Sequence, residues 1–288
     1  MAGITSASSG QPRLAKFSRG SSMAEVTVGG LRFHVQRLGP EVGVPVVFLH
    51  GLIMDNLSSW FFTAAPKVAA HQPVLLYDLR GHGKSERPTA GYSVEDMVGD
   101  LGGILDESLP PDQSVELVGN SFGGLLALAF ALARPERVRG LCLVDGQVHD
   151  EAFGPEMVSS LGLEGRERDE MIARSFKAWL GRHSERKRNR LARNASELVH
   201  GTSLVQDLAH SAPPSTQELE RVSCPVLALY GEHSDVRERG ENLAARLSNA
   251  QLEIVEGCTH SLLWEQTAQL EQRVLSWVGR ESGPGGKD

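Results

Sequence analysis

Cysteine is scarce in this chain of 288 residues: only Cys142, Cys224 and Cys258. A sparse, odd-numbered set gives no disulfide framework and suits a reducing, cytoplasmic compartment. Cys142 and Cys224 fall in apolar strand-like runs, where they read as small core residues. The spacing of the three suits no metal site. Charge of one sign is also limited. The net charge of −7 argues against nucleic acid or an anionic membrane as partner. Apolar runs are short, and none approaches the ~20 residues that span a bilayer. The first 22 residues are rich in Ser and Gly and lack the apolar h-region of a secretory signal. Residues 1–23 are therefore expected to be a disordered extension, with Met23 as an alternative start, and the Gly-rich tail 281–288 is expected to fray.

The chain does carry one dense stretch, VELVGNSFGGLLALAFALARP at 115–135. An apolar run reads as a buried strand. It ends in Gly119-Asn120-Ser121-Phe122-Gly123, a G-x-S-x-G pattern, and an apolar helix follows until Pro135 disfavours its continuation. Strand, sharp turn and buried helix are the setting in which such a serine is a nucleophile, held in a strained conformation with its oxygen exposed. Side chains two positions to either side would collide with the folded backbone, which is why Gly119 and Gly123 stand there.

Around this stretch, strands are expected at 24–28 and 31–38, joined by the Gly29-Gly30 turn, and at 45–49, 74–78, 115–119, 138–144, 226–230 and 251–255. Helices are expected at 57–70, 93–106, 171–180, 240–247 and 261–278, with Ser93 as an N-cap backed by Asp96. Apolar strands alternating with helices predict a mostly parallel sheet covered on both faces. The alternation breaks between 147 and 216, which holds helical patterns and no convincing strand. The expected organisation is a core of 24–146 and 217–280, with 147–216 a helical cap inserted after the sixth strand, over the nucleophile.

Several short motifs occur in order: His50-Gly51-Leu52, DLRGHGKS at 78–85, GNSFGG at 119–124, GEHSD at 231–235 and GCTH at 257–260. Together they resemble the α/β-hydrolase fold superfamily, over about residues 25–279. The resemblance implies an eight-stranded, mostly parallel sheet flanked by helices, a Ser-His-acid triad, and no metal or organic cofactor. In this family the histidine follows the last strand, which points to His260. The chain order Ser…Asp…His points to Asp235 as the acid. Glu232 on the same loop is an alternative, and so is Asp145, because some members carry the acid after the preceding strand. Backbone N–H groups of Leu52 and Phe122 are the expected oxyanion donors. His50, Gly51, Asn120 and Trp264 are expected at the substrate pocket, with a structural role open for His50. Trp60 and Trp179 fit either pocket or core. His82 and Lys84 read as turn architecture.

The basic run 182–193 fits a solvated cap-helix face or a docking patch for an anionic group, such as a carrier-protein or coenzyme phosphate. The expected activity is hydrolysis of an ester or thioester of a small, apolar or carrier-bound acyl group through an acyl-enzyme on Ser121. GNSFGG and the His260-x-x-x-Trp264-Glu265 pattern also resemble meta-cleavage-product hydrolases, which cleave carbon–carbon bonds in vinylogous diketones. Those enzymes usually show a Pro-Gly pattern where this turn has Arg80 and His82. A ligand receptor built on the same fold is a third possibility. Nothing in the sequence sets an oligomeric state.

Overall fold

The computed structural model describes residues 22–163 and 185–280. An eight-stranded sheet forms its frame: β1 (Ser22–Val28), β2 (Leu31–Leu38), β3 (Val46–Leu49), β4 (Val74–Tyr77), β5 (Val115–Asn120), β6 (Val138–Val144), β7 (Val226–Gly231) and β8 (Ala250–Val255). Their spatial order is β1-β2-β4-β3-β5-β6-β7-β8. The β1–β2 hairpin turns through Gly29 and Gly30, both at positive φ, and its strands pair antiparallel; β2 pairs antiparallel with β4. All later pairings are parallel.

Among the described residues the α-helices are α1 (Ser58–Phe61), α2 (Ala64–Val68), α3 (Val94–Ser108), α4 (Phe122–Ala133), α5 (Phe153–Leu161), α6 (Glu185–Gly201), α7 (Leu204–His210), α8 (Thr216–Leu219), α9 (Arg237–Arg246), α10 (Leu262–Glu265) and α11 (Thr267–Val278). Ser93 caps α3 through the expected capping box with Asp96. β3, β4, β5 and β7 are buried along their whole length. They lie inside the sheet with side chains on both faces covered, so continuous apolar sequence is what they require. One apolar cluster includes Val47, Leu117, Leu125 and Leu126, and a second includes Val46, Phe48, Val118 and Trp60. These clusters hold alternate residues of the same strands, as the two faces of a pleated sheet must.

Three expectations change in detail. The helix expected over 57–70 is two short ones, interrupted at Phe62 and Thr63; Thr63 leaves helical geometry and its hydroxyl donates to the Ser59 carbonyl at 2.6 Å. The helix expected over 261–278 breaks at Gln266, between α10 and α11. β8 is an edge strand with Gln251 and Leu252 exposed, not a buried one. Between β6 and β7 the described residues form helices α5 to α8 and no strand. The helix expected over 171–180 lies outside the described residues, as do Trp179, Arg182, nearly all of the N-terminal segment and the tail 281–288. No helix among the described residues is long and apolar enough to cross a membrane.

Candidate active site

β5 delivers Ser121 at its C-terminal end. The serine stands between strand and helix at φ 54° and ψ −120°, a conformation costly for any side chain. Four backbone bonds hold it: its N–H donates to Val144 O (3.0 Å), and its carbonyl accepts from Gly124 (2.9 Å), Leu125 (3.3 Å) and Gln147 (3.0 Å). The flanking glycines are there for room. A Cβ on Gly119 would lie 2.2 Å from Gly123 O, and one on Gly123 would lie 2.3 Å from Leu49 O. Neither glycine is among the positive-φ positions, so close approach, not unusual dihedrals, excludes side chains.

Ser121 Oγ lies 2.9 Å from His260 Nε2. His260 sits in the loop after β8. Glu232 braces that loop by accepting the Gly257 N–H at 2.9 Å, and Glu265 accepts both the N–H and the hydroxyl of Thr259. The other imidazole nitrogen, Nδ1, is 2.6 Å from Asp145 Oδ2. Asp145 follows β6 at φ 47° and its side chain is wholly buried. It also accepts the Gly231 N–H at 2.7 Å and the Ser234 hydroxyl at 2.5 Å.

Here the structure departs from the expected acid. Asp235 comes no nearer than 3.9 Å to His260 Nδ1 and its side chain is 78% exposed. The left-handed turn at Asp145 aims the β6 carboxylate under the end of β7 and toward the imidazole. The β7 loop spends Ser234 on that carboxylate and leaves Asp235 facing solvent at the cavity wall. Burial opposes a charge on His260, but the Asp145 hydrogen bond and charge, helped by Asp235, hold its pKa above the ordinary 6.5.

The loop after β3 is fixed on both sides of Leu52. Gly51 N–H donates to Asp55 Oδ2 at 2.8 Å, and Met54 N–H to Leu52 O at 3.0 Å. Ile53, at φ 69°, donates its N–H to His82 Nε2 at 2.8 Å. Since Nε2 accepts, the proton is on Nδ1, which donates to Arg80 O at 2.8 Å. Burial, then His50, lower the His82 pKa to about 3, so the ring stays neutral. His82 thus belongs to the turn, as expected, and also pins the neighbouring loop, a role its sequence position did not reveal. Burial pushes the Asp55 carboxyl upward despite the N–H groups it accepts.

His50 is corrected from a pocket residue to a structural one. It is fully buried; its Nδ1 donates to Gly51 O at 2.6 Å and its Nε2 accepts from Leu79 at 3.0 Å. Trp60 is likewise core, with its indole N–H on Leu49 O.

These groups face a cavity of about 220 Å³. Ser121, His260, Asp235, Gly51, Leu52, Asn120, Phe122 and Trp264 all border it. Its walls are mostly apolar, with Met157 and Leu161 from α5 and Ala195 and Val199 from α6. No group of three or more metal-binding side chains occurs among the described residues.

A sheet with this strand order, a strained serine after its central strand and a histidine-carboxylate pair beside it define the architecture of an α/β hydrolase. The family model for the alpha/beta hydrolase fold matches residues 44–267, and the chain belongs to that family. Among curated relatives, it is 31% identical over 259 residues to the 2-hydroxy-6-oxononadienedioate/2-hydroxy-6-oxononatrienedioate hydrolase of Cupriavidus pinatubonensis, covering 81% of this chain and 86% of that one. It is 42% identical over 122 residues to the 2-hydroxy-6-oxo-2,4-heptadienoate hydrolase of Pseudomonas putida; that match spans 41% of this chain and 42% of the relative's length. A solved structure of a thermophilic esterase from Thermogutta terrifontis superposes with a TM-score of 0.72 at 24% identity, covering 89% of this chain and 98% of that one. That likeness is one of fold.

Proposed function

We propose that the chain is a serine hydrolase of esters or thioesters, with Ser121 as nucleophile, His260 as general base and Asp145 as the acid. The carrying observation is the continuous pair of contacts, 2.9 Å from Ser121 Oγ to His260 and 2.6 Å from His260 to Asp145, at a mostly apolar cavity. A serine hydroxyl needs an adjacent base to attack at neutral pH. Ser121 Oγ adds to the acyl carbonyl while its proton passes to Nε2. Asp145 keeps the imidazole in the tautomer that accepts there and stabilises the cation that forms. The backbone N–H groups of Leu52 and Phe122 take the oxyanion. Collapse breaks the acyl–O or acyl–S bond, and the alcohol or thiol leaves with the proton from Nε2. Water, deprotonated by His260, then releases the acid from Ser121. Helices α5 to α8 serve as the cap, and the free cysteines suit a reducing compartment.

A second reading, hydrolysis of a carbon–carbon bond, is favoured by the names of the curated relatives. The compounds in those names carry carboxylates. The described cavity wall has no Lys or Arg, and the exposed Asp235 borders it, which suits an uncharged acyl group better. At about 220 Å³ the cavity is below the ~300–1,000 Å³ usual for larger ligands, so the acyl group is short to medium.

The test is a graded panel of p-nitrophenyl acyl esters and acyl thioesters, with Ser121→Ala alongside. Turnover that peaks at short or medium chains and vanishes in Ser121→Ala is expected. A folded protein that leaves the whole panel untouched, or retains full turnover in Ser121→Ala, overturns the reading.

A further inference from the structure

A second cavity, of about 490 Å³, adjoins the catalytic one: Ile53, Met54 and Asp55 border both. Its character differs. Three cations border it, two from the turn after β4 (Lys84 and Arg87) and one from α6 (Arg190). The turn is rigidly built. Asp78 Oδ2 accepts the Lys84 N–H at 2.9 Å, Ser85 Oγ donates to Asp78 O at 2.6 Å, and Arg87 Nε donates to Gly81 O at 3.1 Å. The carboxylates in the wall are turned inward. Asp78 also serves His34 and the Leu57 N–H, and Asp55 serves the N–H groups of Gly51 and Asn56. Glu197 pairs with Arg87 at 2.8 Å but is 56% exposed, and such a pair holds its partner weakly.

Phe61 and Phe62 also border this cavity. Phe61 and Phe62 meet edge to face at 5.1 Å, and Phe62 is 77% exposed.

We propose that this cavity receives the phosphate end of a phosphopantetheinyl thioester whose acyl carbonyl lies at Ser121. This rests on the thioester half of the reading above and names its leaving group. The acyl group fills the catalytic cavity, whose described wall has no Lys or Arg, the pantetheine arm passes Ile53 and Met54, which border both cavities, and the phosphate meets Lys84, Arg87 and Arg190. The chemistry is balanced hydrolysis: the acyl–sulfur bond breaks, sulfur leaves as a thiol with the proton from His260, and water supplies the hydroxyl of the product acid.

The experiment has a binding arm and a turnover arm. In Ser121→Ala protein, calorimetry compares 4′-phosphopantetheine with pantetheine. Charge-assisted bonds to a phosphate are expected to make the former bind about tenfold more tightly or better at low salt. The advantage should shrink at high ionic strength and disappear in Arg190→Glu and in Lys84→Ala. In the active enzyme, the ratio of kcat/KM for an acyl-phosphopantetheine over the matching N-acetylcysteamine thioester should fall to about one in the same variants. Acyl-coenzyme A, run alongside, separates a free coenzyme from a protein-borne arm: a further gain over acyl-phosphopantetheine assigns the coenzyme, and equal rates assign the phosphate that both share. Equal affinity for the two pantetheines in unsubstituted Arg190 protein overturns the inference even where esters are turned over. Tighter phosphopantetheine binding without hydrolysis of any ester or thioester would overturn the proposed reaction and leave the site standing.

Discussion

The two carboxylates near His260 can be separated by exchanging each for its amide. Asp145 Oδ2 is 2.6 Å from Nδ1 and buried; Asp235 Oδ1 is 3.9 Å away and mostly in solvent. With an effective dielectric of about 20 for the first and about 80 for the second, Coulomb attraction to an imidazolium is about 6 and about 1 kcal/mol before salt screening. An asparagine at 145 also offers the imidazole an ambiguous partner, so the tautomer that accepts the Ser121 proton is no longer enforced. Loss of the orienting carboxylate from a Ser-His-Asp triad costs about 10⁴ in kcat, or about 5.5 kcal/mol, in line with the larger Coulomb figure. Asp145→Asn is thus expected to lose about 10⁴ in p-nitrophenyl ester turnover, and Asp235→Asn no more than about fivefold. Circular dichroism and a melting curve check that each variant is folded, and NMR titration of His260 gives an independent readout. A 10⁴-fold loss in Asp235→Asn, with Asp145→Asn near the parent rate, would refute this reasoning.

Three further outcomes follow from the same geometry. His82→Ala leaves the Ile53 N–H without its acceptor, at a cost of about 1–3 kcal/mol, and loosens the loop that carries Leu52; kcat should fall by about 10–10² with little change in KM, and His82→Gln, whose amide oxygen can accept, should restore part of it. His260 must be neutral to accept a proton, and its pKa lies above 6.5, so kcat/KM should decline on the acid side with a midpoint above 6.5 that moves down in Asp145→Asn; a midpoint below 6.5 in the parent would contradict the assignment. Gly119→Ala, whose Cβ would lie 2.2 Å from Gly123 O, should destabilise by about 1–3 kcal/mol or more in urea unfolding, whereas Gly99→Ala, in open space on α3, should stabilise by about 0.5–1 kcal/mol.

Much of the site can be read from the chain because its chemistry is local. Ser121 sits in a turn whose glycines, strand and helix are contiguous, and His260 follows the last strand of an alternating pattern. The acid cannot be read this way. Both β6 and the β7 loop supply an aspartate at the correct edge of the sheet, and only the backbone turn at Asp145 decides which one reaches His260. His50 illustrates the same limit: its motif places it beside the site, but which way the ring points depends on the Leu79 N–H, 29 residues along the chain. The link from His82 to Ile53 joins two loops that sequence order keeps apart. The break at Phe62–Thr63 fits Pro66, which has no N–H for the Phe62 carbonyl and crowds it.

The seat of Asp145 at the end of β6 has a mechanical consequence. β5 and β6 are adjacent, with Asn120 registered on Val144, and the Ser121–Val144 and Gln147–Ser121 bonds lace their ends together. Ser121 and Asp145 are therefore held at the ends of one stiff ladder at the centre of the sheet, while His260 rides a loop after the edge strand. Gentle heating should unseat His260 first, silencing the proposed hydrolysis reversibly at temperatures where the sheet is still intact.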